Sequence, residues 1–68
     1  MKAMKTRDVH RALTTAGCHL LRDTGGHEAW GCPCGQHVTA VPRHRTICPG
    51  VVRNLIRDLA CLPKGWLQ

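Results

Sequence analysis

The chain has 68 residues, 43% of them apolar, and ten Lys and Arg against four Asp and Glu give a formal net charge of +6 with histidines neutral. This length predicts one domain over residues 1–68, near the lower size at which a hydrophobic core holds a fold unaided, and the basic balance points to a polyanion, nucleic acid before an acidic protein surface. No apolar run approaches the roughly 20 residues of a membrane span and the Met-Lys start lacks the apolar segment of a signal peptide, so the chain is expected in the cytoplasm, without a membrane partner and with its five cysteines as reduced thiols.

The first predicted element is a helix over Thr6–Ala16. Val9, Ala12, Leu13 and Ala16 recur at helical spacing and make one apolar stripe. Thr6 is the expected N-cap, Asp8 suits the positive end of the helix dipole, and Gly17 is placed to end the helix in a left-handed conformation. A strand over Cys18–Asp23, a turn at Gly25-Gly26 and a second strand over His27–Gly31 follow. Cys32–Gly35 reads as a turn, because Pro33 and Gly35 disfavour continued pairing. Gln36–Val41 alternates and is β-branched, which predicts a third strand stopped by Pro42. Pro49 opens a second helix to about Ala60, with Val52, Leu55, Ile56 and Leu59 as its apolar stripe. Trp30 and Trp66 are expected to pack on the core, Trp66 and Leu67 folding back from the tail "GWLQ". The order α-β-β-β-α predicts a three-stranded antiparallel sheet with two helices on one face and the other face open to solvent.

Trp30 and His27 lie three residues apart on one strand, so an inward Trp30 requires an outward His27. The outward set His27, Ala29 and Gly31 would then be sparse enough for a ligand to approach the backbone. A histidine titrates near neutral pH and can accept and donate a proton within one cycle. RNA carries its own nucleophile, the 2′-hydroxyl, which needs only a base to attack the neighbouring phosphorus, while basic side chains steady the phosphorane. The glycines before His27 favour close approach of a sugar–phosphate backbone.

The stretch "RDTGGHEAW", followed by "VTAVPRHRTICPGVVRNLIRDL", resembles the HicA family of bacterial toxin–antitoxin ribonucleases. The matching positions are Arg22 near the end of strand one, Gly25-Gly26-His27, Val41-Pro42-Arg43-His44 and the amphipathic Val51–Ala60. The opening "MKTRDVHRALTTAGCHLLR" resembles the first helix and strand of the family. The resemblance implies a double-stranded-RNA-binding-like fold and cleavage of messenger RNA by an essential histidine, which maps onto His27. It also implies a HicB-type antitoxin that covers the histidine, and leaves open whether the pair forms a larger oligomer. Arg22, Gly25, Gly26, Arg43, His44 and Arg45 are the expected RNA-binding residues, with Arg22 and Arg43 on phosphate. Two departures stand out: Gly26 replaces a common Ser, and Cys48 holds a helix-capping position where Ser or Thr is expected. Glu28, directly after the histidine, either approaches the imidazole or faces the other way.

Two other readings use the same residues. Cys32, Cys34, His37, His44 and Cys48 are near enough in sequence for a tetrahedral zinc site, but C-x-C is tighter than the usual C-x₂₋₄-C and Cys48 begins a helix. The activity is therefore expected to need no metal and no cofactor. A pure RNA-binding module would share the fold and the salt dependence while lacking cleavage. Cys18, Cys48 and Cys61 are expected as small apolar packing groups, His10 on the solvent side of helix one and His19 on the strand surface. His37 or His44, or water, would protonate the leaving 5′-oxygen.

Overall fold

The computed structural model describes residues 2–67, so Gln68 of the predicted tail lies outside them. In chain order the elements are β1 (Met4–Lys5), α1 (Thr6–Thr15), β2 (His19–Thr24), β3 (His27–Gly31), β4 (Val38–Pro42), β5 (Thr46–Ile47) and α2 (Pro49–Asp58). β2, β3 and β4 form an antiparallel sheet in that order, giving the α+β, α-β-β-β-α arrangement with both apolar stripes turned to one side. The short pair β1–β5 is an addition that sequence pattern does not predict.

The start of α1 differs from expectation because of that pair. Lys5, with extended backbone, is the N-cap, and no side chain caps the helix. Thr6 is already helical. Its amide donates to the Arg45 carbonyl (3.0 Å) and its hydroxyl to the His44 carbonyl, so both groups serve the neighbouring segment. The other end follows the sequence closely. Gly17 takes φ 91°, the Gly17 amide donates to Thr14 O and the Cys18 amide to Leu13 O, the paired bonds of a Schellman motif.

The core lies between the sheet and the helices. Val9 and Leu13 of α1, Trp30 and Val41 of the sheet, and Val52 and Leu55 of α2 are buried in one cluster, joined by Ile47, Leu59 and Leu67. Trp66 packs against this cluster as expected. Thr39, also buried, donates its hydroxyl to Asp58 Oδ2 (3.1 Å) and so ties β4 to the C-terminal end of α2. Strand limits move by one or two residues: β4 begins at Val38, leaving Gln36 and His37 in the β3–β4 connection, because Cys32–His37 closes a turn through Cys32 N–H to His37 O and Gly35 N–H to Cys32 O.

Candidate functional site

The β2–β3 hairpin has a two-residue loop. Thr24 pairs with His27, and Gly25 and Gly26 between them take φ 59° and 83°. Two positive φ values in a two-residue hairpin loop are the signature of a type I′ turn, whose twist matches that of the strands. The space around Gly26 is open, but its φ of 83° is one that L side chains rarely adopt, so a serine here would be strained without being crowded. The turn delivers His27 as the first residue of β3, exposed.

Opposite residues of an antiparallel ladder share a face. His27, Ala29 and Gly31 therefore share the outer face with Thr24, Arg22 and His19 of β2 and with Pro42, Ala40 and Val38 of β4. Arg22 stands one diagonal step from His27. The outer face is less bare than its sequence implies. The pairing shifts between Leu20 and Arg22, and the extra residue, Leu21, lays its side chain over Gly31, where an added Cβ would come within 3.0 Å of it. Leu21 and Val38 remain exposed.

Glu28 and Trp30 occupy the inner face. The Glu28 side chain is 12% exposed, and its Oε1 accepts from His10 Nε2 (2.7 Å) and Trp30 Nε1 (3.1 Å). An ionised carboxylate accepts only, so Nε2 of His10 carries the proton in this bond. The imidazole also lies over the indole, centroids 5.5 Å apart. Glu28 thus faces away from His27, and His10, expected in solvent, is instead a packed and bonded group. Arg43 reaches Glu28 as well as Asp23: its guanidinium is 3.1 Å from Asp23 Oδ1 and 3.9 Å from Glu28 Oε2, with the side chain 53% exposed. Its amide donates to Gly26 O (2.9 Å), which places Arg43 and the following His44 at the His27 end of the sheet. Arg45 lines a separate shallow cleft with Lys5, Thr6, Arg7 and Thr46, a second concentration of positive charge.

The other end of the sheet gathers sulfur. Cys34 Sγ is 3.0 Å from His37 Nδ1, Cys32 Sγ is 3.9 Å from the same nitrogen, and Cys32 and Cys61, expected as reduced thiols, are joined as a disulfide because the chain leaving α2 brings Cys61 back to the β3–β4 connection. His37 is thus drawn away from the His27 end. The His37 hydrogen bond, with the Gln36 amide behind it, holds the Cys34 thiol below its ordinary value, whereas burial raises that of Cys18. Of the cysteines expected to pack as small apolar groups, Cys18 does so, Cys48 is exposed and Cys61 joins this cluster. Cys61 was missed as a partner because only chain direction reveals it. β4 leads away from the β3–β4 connection and α2 returns toward it, as the Thr39–Asp58 bond records.

No helix among the described residues is long and apolar enough to cross a membrane. A family model described as HicA toxin of bacterial toxin-antitoxin matches residues 6–60. No curated protein and no solved structure matches the chain.

Proposed function

The chain belongs to the HicA toxin family of bacterial toxin–antitoxin pairs, and from that premise we propose that it cleaves messenger RNA with His27 as the acid/base group. The observation that carries this reading is the placement of His27. It is exposed directly after a tight glycine turn, on the open face of the sheet, with Arg22 one diagonal step away. No carboxylate on its own strand competes for it, since Glu28 is engaged on the opposite face.

His27 takes the proton from the ribose 2′-hydroxyl. The 2′-oxygen bonds to phosphorus as the bond from phosphorus to the 5′-oxygen breaks, and that oxygen leaves with a proton from His44 or from water. The products carry a 2′,3′-cyclic phosphate and a 5′-hydroxyl, and the step needs neither a metal nor a protein nucleophile. Arg22 serves the phosphorane from the sheet face and Arg43 from its edge, with His44 beside it in the β4–β5 connection and Arg45 extending the contact toward the basic cleft it lines with Lys5 and Arg7. Gly25 and Gly26 leave room for the sugar–phosphate backbone. A HicB-type antitoxin would cover this face, where Leu21 next to Arg22 and Val38 opposite Gly31 offer exposed apolar surface.

Replacing His27 separates this from a binding module without chemistry. His27→Ala is expected to lower cleavage of an RNA substrate by about 100-fold or more while sparing RNA binding, and its induction in a bacterial host should no longer stop growth. Unchanged cleavage would remove His27 from the mechanism, and 5′-phosphate ends would exclude the internal nucleophile.

A further inference from the structure

The sheet end remote from His27 holds chemistry that RNA cleavage does not use. Cys32, Cys34 and His37 of the β3–β4 connection and Cys61 beyond α2 each offer one donor atom, and the four atoms lie within 4.8 Å of one another. We propose that these four residues bind one structural zinc ion, which clamps the β3–β4 connection to the chain leaving α2.

The donor set is the first argument. Three thiolates and an imidazole make a Cys₃His site, and zinc takes such ligands tetrahedrally with Zn–S near 2.3 Å, so neighbouring sulfurs stand about 3.8 Å apart. The four donors are gathered closely enough for one ion, and the Cys32 and Cys61 sulfurs, once reduced, must move apart to take that spacing. His37 turns Nδ1 toward both Cys34 and Cys32 and would ligate through it. The backbone is the second argument. The Cys34 amide points at Cys32 Sγ (3.3 Å) and the Gln36 amide at Cys34 Sγ (3.4 Å). Amide donors of this kind offset charge on metal-bound sulfur and fix its direction. The third argument is span. The Cα atoms of Cys32 and Cys61 are 7.5 Å apart, beyond the about 4.4–6.8 Å of ordinary disulfides. An ion placed between two sulfurs suits the wider separation.

Four protein ligands leave no position for water or substrate, so the ion is structural. Binding displaces up to three thiol protons and leaves the site with one net negative charge when His37 is neutral. The Cys32–Cys61 disulfide is the competing product of the same sulfurs, but it requires an oxidant that accepts two electrons and two protons, whereas zinc requires none. A chain this short gains from such a clamp, because its core alone is small. The site stands or falls independently of His27.

The full chain, purified under reducing conditions, is expected to carry one zinc per molecule by elemental analysis and native mass spectrometry. Loading with cobalt(II) instead should give the near-ultraviolet charge-transfer bands and strong visible absorption of tetrahedral thiolate coordination. Cys61→Ser and His37→Ala should lose the stoichiometric metal, while Cys48→Ser, outside the cluster, should keep it. If the ligand variants fail to fold, the cobalt spectrum of the unchanged chain decides. Metal-free folded protein without thiolate–cobalt bands, or full zinc retention by both ligand variants, overturns the proposal, as does a mass showing the Cys32–Cys61 disulfide under the same conditions.

Discussion

At the scale of single residues, the pleat decides what Glu28 does. Sequence places a carboxylate next to the proposed catalytic histidine, an arrangement that elsewhere tunes an imidazole. The side chains of adjacent strand residues point to opposite faces, so an outward His27 sends Glu28 inward, where His10, Trp30 and Arg43 meet it. Glu28 is therefore a folding residue. Glu28→Ala strands the inward-facing Trp30 N–H and the His10 imidazole, and is expected to cost about 1–3 kcal/mol in urea unfolding. Cleavage per folded molecule should stay close to that of the parent. A collapse of cleavage in a variant that remains folded would show instead that Glu28 reaches the chemistry. The same parity argument made an outward His27 readable from Trp30 alone, but the partners of Glu28 were not readable, because His10 belongs to another element and its bond depends on how α1 sits over the sheet.

Among the elements, the helices and the central strands were legible for local reasons. Both apolar stripes follow the helical period, Gly17 stops α1 as a left-handed residue, and Gly25-Gly26 fits the two-residue turn that joins β2 to β3. What sequence left out depends on cross-chain packing. The irregular pairing at Leu21 exists where Gly31 leaves space opposite, the β1–β5 pair involves two residues on each side, and Cys61 reaches Cys32 through the return direction of α2. The weak start of α2 was legible and has a measurable consequence. Cys48 is the N-cap with no side-chain bond, Pro49 follows it, and the Val51 and Val52 amides fall back on the Cys48 carbonyl. A serine oxygen at this exposed position would accept from the Gly50 or Val51 amide. Cys48→Ser is expected to raise the unfolding free energy by about 0.5–2 kcal/mol, read as a higher urea midpoint at unchanged slope. An unchanged midpoint would mean that the carbonyl bonds already satisfy this helix end.

At the scale of the whole molecule, the +6 charge matters less than where it is free to act. Among the described residues Arg22 has no acidic partner on the outer face, whereas Arg43 is held by Asp23 and approached by Glu28. Binding to RNA releases one set of counterions for each phosphate a cation neutralises, so the logarithm of affinity falls with the logarithm of salt in proportion to the number of such contacts. The proposed interface therefore predicts unequal arginines. With a 2′-O-methylated single-stranded RNA, which cannot be cleaved by its own hydroxyl, Arg22→Ala should reduce the magnitude of the salt slope by about 0.7. Asp23→Asn should do the reverse, tightening binding and steepening the slope, because it returns the Arg43 guanidinium to the phosphates. Fluorescence anisotropy across a salt series measures both. If Arg43→Ala reduces the slope as much as Arg22→Ala, and Asp23→Asn leaves it unchanged, then RNA already draws Arg43 away from Asp23 on binding. The ion pair would then be a property of the free protein alone, and the polar edge beside the glycine turn would rearrange when substrate arrives.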